Sequence, residues 1–370
     1  MMKIRTIFSA IFLVFLARSI YASDFTITDF DTGAAKTNTE TSYDNPLLSA
    51  QELGIEPTFT DRISGGTRKS GWTSDVHAQA GAGITDQSDY LEVVQQLHSY
   101  AHIQRDVATD NITIQAKIKY VADASVASWR PSVALYWGVD DWVKVGDERS
   151  LSQYQSTKNV ASTTSFTRIG STVQGTWYWY KIKLTATNYY IYYSTNGSSW
   201  TQIETGARPG SWSGAPNLII VGKGYSDNPT YSGTDFNNSV TGFPLHTTHI
   251  TDIVVLPYKL SGNWTSAIQT MPAGASMAQT TIYHSGLDAA NCIDKVEWLV
   301  GGQVKAAYET DITNGAWTAV LPDMVTSGSF VNVNADFQVK LYLVGDGSAT
   351  PVVTKVEGET LPPGAIFTFF

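Results

Sequence analysis

The chain has 370 residues, 33 acidic against 24 basic side chains, and a formal net charge of -9. Such an acidic balance repels a phosphate backbone and argues against nucleic acid as a partner. A single cysteine, Cys292, excludes a disulfide within the chain, so stability must come from burial and hydrogen bonds, with a metal as a further option.

Lys3 and Arg5 precede an apolar run over residues 7–17, and the small residues Ala22 and Ser23 follow. A spanning helix needs about 20 apolar residues, so the pattern predicts a secretory signal over residues 1–22 instead of a membrane anchor. The expected protein is exported, to the extracellular space, the cell surface or the periplasm. Loss of Lys3, Arg5 and Arg18 takes its formal charge to -12. Residues 23–55 are polar apart from short apolar groups such as Phe25, Ile27 and Phe30, and read as an extended N-terminal arm or edge strand.

From residue 56 onward, period two dominates, which argues for an all-β protein. In NITIQAKIKY, Ile112, Ile114, Ala116 and Ile118 share one face, and Thr113, Gln115, Lys117 and Lys119 share the other. Further strands are expected at 133–137, 142–145, 218–221, 253–256 and 296–300. In FQVKLYL, Phe337, Val339, Leu341 and Leu343 oppose Gln338, Lys340 and Tyr342. A main domain over residues 56–257 is punctuated by Pro257, and a second, smaller β-sandwich is expected over 258–370.

The stretch WYWYKIKLTATNYYIYYSTNGSSW, residues 177–200, carries nine aromatic side chains. Alternation assigns Tyr178, Tyr180, Ile182, Leu184 and Ala186 to the core, and Trp177, Trp179, Lys181, Lys183 and Thr185 to the other face. A second strand runs from Tyr189 to Tyr193, and Asn196-Gly197 predicts a tight type I′ hairpin turn.

Four pieces in this order, ALYWGVDDWVKVG, WYKIKL, YYSTNGSSWTQI and HITDIVVL, resemble the concanavalin A-like lectin/glucanase superfamily, in the LamG-like form appended to glycosidases and surface proteins. LSGNWTSAI, VEWLV and FQVKLYLVGDGSATPVVTKVEGE resemble the small β-sandwich attached to many exported glycan-related proteins. The resemblance implies a concanavalin A-like jelly-roll sandwich followed by a second smaller β-sandwich, and these motifs are structural, so they speak to fold more than to activity.

Glycoside hydrolysis needs two carboxylates flanking the scissile bond. The glucanases of the family place theirs as Glu-x-Asp-x-Glu, which this chain lacks; Asp147 and Glu148 are adjacent and point to opposite faces. No lyase strand motif is present either. His98 and His102 have metal-pair spacing, but no third ligand is indicated, and His246 and His249 differ in parity. Calcium, which takes 6 to 8 oxygen ligands, is the expected cofactor if any, with Asp140 and Asp141 in one turn and Asp227 and Asp235 in a long polar loop. Sugar stacking needs an exposed rigid ring with polar groups beside it. The candidate platforms are Trp212, Tyr225, Tyr231 and Trp129 in loops, with Trp177 and Trp179 on the lysine face. The resulting expectation is an exported, non-catalytic protein that binds a polysaccharide or glycoconjugate or acts in adhesion. The alternatives are a structural subunit that self-assembles through the N-terminal arm or the C-terminal AIFTFF, and a polysaccharide-degrading enzyme or its accessory module.

Overall fold

The alternation read from the sequence is realised as strands almost without interruption. A computed structural model of the protein describes residues 23–37, 39–41, 53–55, 57–63, 66–76, 83–95, 101–122, 132–148, 152–223, 246–271, 277–285, 292–309, 324–326, 331–332 and 335–361. The expected signal and AIFTFF lie outside them. The described residues form strands and one short 3-10 turn, Gly210–Trp212; none of their helices is long and apolar enough to cross a membrane. The chain divides into two units, one built mainly from Pro57–Pro257 and one from Met1–Tyr43, Leu47–Glu56 and Tyr258–Phe370.

The larger unit is a sandwich of two antiparallel sheets. One orders its strands Thr201–Ala207, Asn188–Ser194, Trp177–Leu184, Ile112–Ala122, His246–Tyr258, Leu91–Gln95 and Gly83–Asp86, with Pro57–Asp61 also paired to His246–Tyr258. The other runs Thr163–Ile169, Gln153–Val160, Asp141–Glu148, Ser132–Gly138, Leu218–Lys223, Ala101–Asp106 and Thr73–Val76. Early strands pair with late ones in a nested way, as in a jelly roll: Ala101–Asp106 with Leu218–Lys223, and Leu91–Gln95 with His246–Tyr258. Between the sheets lie Ile112, Ile114, Ala116, Ile118, Val133, Leu135, Val143, Val145, Tyr178, Tyr180, Ile182 and Leu184, all buried. Each large aliphatic side chain among them contributes about 1.5–3 kcal/mol of burial, and their spacing of two fixes which face looks outward.

In the smaller unit, a sheet ordered Met324–Thr326, Met277–Ser285, Val352–Leu361, Leu53–Ile55 and Thr39–Thr41 accompanies a five-stranded one ordered Ala35–Thr37, Ser261–Thr265, Gln338–Val344, Cys292–Val300 and Gln303–Glu309. Of the two readings of residues 23–55, an arm or an edge strand, the described residues take the second. Ser23–Ile27 pairs with Val352–Leu361, and Ala35–Thr37 pairs with Ser261–Thr265. Ile27, Phe30 and Leu53 belong to the buried core with Trp264, Trp298 and Leu341. Phe30 meets the Trp264 ring edge-on at 5.1 Å and accepts the indole N–H on its carbonyl at 3.0 Å. The sparse apolar groups of this segment are therefore its core contacts, which leaves Ser23–Ile27 occupied within its own chain.

The Asn196-Gly197 turn also differs from expectation. Seven residues separate the paired Tyr193 and Thr201, and Gly197 has φ 79° while Asn196 does not share the left-handed region. Side-chain caps replace the two-residue turn. Asn196 Oδ1 accepts the Ser198 and Ser199 amides at 3.0 and 2.8 Å, and Ser194 Oγ accepts the Asn196 and Gly197 amides at 3.2 and 3.0 Å. A Cβ at Gly197 would come within 2.8 Å of Trp179 Nε1, so glycine lets this loop lie on the indole.

Candidate functional site

Burial sorts the aromatic candidates. Trp212 is completely buried. It stacks on Trp137 at 5.1 Å, meets Tyr189 edge-on at 5.4 Å, and donates its indole N–H to the Asn159 carbonyl at 3.3 Å. It is a packed anchor with no free face, which corrects its reading as a platform. Trp179 is buried under the Gly197 loop and offers no open ring either. Trp177 remains half-buried with its strand facing outward. Trp129, Tyr225, Tyr231, Asp227 and Asp235 lie outside the described residues.

Asp140 and Asp141 are engaged with the neighbouring turn: Asp140 Oδ1 accepts the Ser162 hydroxyl at 2.7 Å, and Asp141 Oδ1 accepts the Ala161 amide at 3.1 Å. Among the described residues, no group of three or more His, Cys, Asp or Glu side chains is placed to hold a metal. His98 lies outside the described residues, while His102 is buried beside Gln104.

The outer face of the eight-stranded sheet brings chemistry together in rows. Register places Glu92, His249, Lys119 and Trp177 in one row, and Thr251, Lys117, Trp179 and Ser194 in the next. Val254, Gln115, Lys181 and Tyr192 form a third row, followed by Leu256, Thr113, Lys183 and Tyr190. Each row holds one lysine and one aromatic ring on adjacent strands. Lys119 lies 4.8 Å and Lys117 5.3 Å from the Trp177 ring centre, and Lys181 sits 3.6 Å over Trp200 and 4.9 Å from Tyr192. Tyr90 stacks on His249 at 3.7 Å.

A bulge tunes this face. Between Thr251 and Val254 the strand carries one residue more than its partner does between Lys117 and Gln115. Asp252 takes the left-handed conformation there, with φ 51°, which Asp tolerates better than most residues. Its carboxylate pairs with Arg62 at 3.4 Å and Lys117 at 3.7 Å. Burial, joined by the like charge of Lys183, pushes Lys181 down to about 8. Burial and the Lys119 charge lower His249, although Glu92 at 3.6 Å pulls the other way. Gln115, buried between Lys181 and Lys117 on this face, has an amide nitrogen without a hydrogen-bond partner.

The outer face of the seven-stranded sheet is polar too, and its central part is buried. Trp142, Lys144, Gln155, Thr157, Asn159, Ser132 and His102 are all buried. Gln155 donates to Thr157 Oγ1 at 2.7 Å and accepts from Arg168 Nε at 2.6 Å. The Trp142 indole N–H has no partner, and Lys144 lies 5.3 Å from that ring. Along Asp141–Glu148 and Gln153–Val160, the described side chains on this face carry no carboxylate; the Glu148 side chain lies outside the described ones. Asp147 points the other way and accepts the Thr172 hydroxyl at 2.6 Å.

The nearest approach to a reactive cluster lies between the sheets. Glu204 accepts hydrogen bonds from Ser156, Lys158 and Tyr189, the last at 2.8 Å, and Lys158 donates to the Tyr189 oxygen at 2.7 Å. Burial would raise the Glu204 carboxyl, but the hydrogen bonds from Lys158, Ser156 and Tyr189 and the Lys158 charge hold it below its ordinary value. This buried group ties Gln153–Val160 of one sheet to Asn188–Ser194 and Thr201–Ala207 of the other.

No family model and no curated protein matches the chain. Solved structures resemble it. The GH43 protein BlXynB from Bacillus licheniformis aligns at a TM-score of 0.39 and 12% identity, over 54% of this chain and 39% of that one. A laminarinase from Flavobacterium sp. UMI-01 aligns at 0.39 and 12%, over 55% and 100%. The catalytic domain of an endo-1,3-beta-glucanase from Thermotoga petrophila RKU-1 aligns at 0.39 and 10%, over 54% and 96%. The chain thus spans about two fifths of the length of the GH43 protein. With TM-scores below 0.5, these likenesses assign no activity to it.

Sequence reasoning singled out Trp177 and Trp179 but missed the rest of the row pattern. Lys117 and Lys119 were visible as the wet face of NITIQAKIKY, whereas the Tyr189–Tyr193 strand carries aromatics on both faces and so did not single out Tyr190 and Tyr192. Their convergence depends on which strands are neighbours. One signal was available: two segments each alternating aliphatic residues with lysine, at 112–119 and 180–184, fit adjacent strands of one sheet.

Proposed function

We propose that this is an exported, non-catalytic glycan-binding protein whose contact surface is the outer face of the eight-stranded sheet. The observation that carries the reading is the row pattern, in which half-buried rings stand beside hydrogen-bond donors: Trp177 with Lys119, Tyr192 with Lys181, and Tyr190 with Lys183. A pyranose presents an apolar C–H face to a ring and hydroxyls around it, so this combination suits it.

Affinity electrophoresis through gels containing a panel of neutral and acidic polysaccharides tests this. Retention by at least one polymer is expected, with Trp177→Ala weakening it by about five- to tenfold. If no polymer retards the protein, the reading fails. Release of reducing ends or unsaturated uronates from any of them would replace it with an enzymatic one.

A further inference from the structure

The four lysines of the open face fall into a single line. Lys119 and Lys117 occupy two successive outward positions of Ile112–Ala122, and Lys181 and Lys183 continue the series on the adjacent Trp177–Leu184 strand. Register puts one lysine in each of four consecutive rows. Outward positions on a strand repeat about every 6.8 Å, so the line covers roughly 20 Å. Along it, each lysine has an aromatic neighbour in its own row: Trp177, Trp179, Tyr192 and Tyr190 in turn.

The charge of this line is largely uncompensated. The acids on the same rows and at the bulge are Glu92, facing His249, and Asp252, which is shared between Arg62 and Lys117. Among the described residues, no carboxylate forms an ion pair with Lys119, Lys181 or Lys183. A protein with a formal charge of -9 therefore carries an isolated cationic stripe on an aromatic bed. Lys181 is pushed down to about 8 by burial and by Lys183, which marks a site where an added anion would relieve unfavourable charge.

We infer that the glycan held on this face is a polyuronate, a polysaccharide with one carboxylate on each sugar. The inference rests on the glycan-binding reading above and adds the chemical class. One cation in each row, with a half-buried ring beside it in three of the four rows, at a step of the order of one monosaccharide, suits a polymer that offers one carboxylate and one pyranose face per unit; the Trp179 row supplies charge alone. A sulfated polysaccharide offers pyranose faces too, but its sulfates are not fixed at one per sugar, so it matches a line of single lysines less closely. A neutral glucan would leave three lysines without a counter-charge.

The experiment compares polygalacturonate, its fully methyl-esterified form, dextran sulfate and a neutral glucan as immobilised probes, in the presence of a calcium chelator. The full chain is tested beside Lys119→Gln/Lys183→Gln and Trp177→Ala. The expected result is retention on polygalacturonate that falls at least tenfold on methyl esterification and at least tenfold in the double lysine variant. Raising the salt from 50 to 500 mM, a range chosen to screen exposed charges, should weaken it. Trp177→Ala should weaken polygalacturonate binding too, because a ring is used as well as a charge. The unfolding midpoint of the double variant should match that of the parent, separating lost contacts from lost fold.

Equal retention on the acid and its methyl ester, or on the neutral glucan, would overturn the polyuronate inference and leave glycan binding standing. Stronger retention on dextran sulfate, insensitive to Trp177→Ala, would overturn it in favour of general polyanion adhesion. Failure to bind every probe would overturn both readings together.

Discussion

The larger unit has two outward sheet faces made by the same alternation, yet they have opposite characters. On the seven-stranded sheet, Lys144, Gln155 and Asn159 are buried beside Trp142, with Gln155 bonded to Thr157 and Arg168 and Asn159 to the Val139 carbonyl and Thr164. On the eight-stranded sheet, Lys117, Lys119, Lys181 and Lys183 keep contact with solvent, and aromatic rings fill the spaces between them. A period-two pattern says that a face is polar; it does not say whether water reaches it. Burial of hydrogen-bonded amides gives a rigid floor, whereas half-exposed cations on rings give a surface able to exchange water for a ligand.

The comparison can be broken most directly at its tryptophans. Trp142→Ala removes a fully buried ring and should cost about 3–5 kcal/mol in the stability measured by denaturant unfolding. Trp177→Ala, on the open face, should cost much less. A reversal of that order would mean that the two faces have been assigned the wrong roles.

The strut joining the sheets gives the next effect. Glu204→Gln leaves Lys158 partly buried without its counter-charge and should cost about 2–3 kcal/mol, at the low end for a broken buried pair because Lys158 keeps some water. Restored stability in the further change Lys158→Met would confirm that the penalty is the stranded charge. A loss of under about 0.5 kcal/mol in Glu204→Gln, typical of a surface substitution, would rule the strut out.

The pH dependence gives a third test, in which the partial exposure of Lys181 discounts its share. Lys181 is lowered to about 8, below its unfolded range, so the unfolded chain holds a proton there that the folded chain gives up as the pH rises. Stability should therefore increase with pH from about 8 toward the ordinary lysine range. Lys223, lowered to about 7 mainly by burial, should add a similar rise beginning lower. Urea midpoints from pH 7 to 10 should show the gain, and Lys181→Met should lower its slope above about pH 8 and leave the part below unchanged. An identical profile in that variant would show that Lys181 is not the group responsible.

Much of the fold was legible because alternation is local. Ile112 through Ile118 and Phe337 through Leu343 alternate as the sequence implied, and Tyr178 and Tyr180 lie in the core beside Ile182 and Leu184. Non-local features were less legible. Nothing near Phe30 announces that its carbonyl will meet Trp264, and Gly and Pro around Trp212 read as a surface loop although that segment inserts its ring into the sandwich. At Asn196 the dipeptide rule gave way to side-chain caps and to the indole of Trp179 beneath Gly197. Of the candidate site, Trp177 was visible as a residue, while the lysine line required knowing that Gln115 lies opposite Lys181.

Ser23 lies opposite Thr360, and Ile27 lies opposite Val356. Tension applied through residues 23 and 360 would therefore load this ladder from one end and open it pair by pair, the peeling geometry of a zipper, not the collective shear of parallel pulling. The larger unit, inserted in sequence between these strands, would carry no load until the ladder had parted. A molecule held at both points would yield first at the smaller unit while the larger one kept its fold.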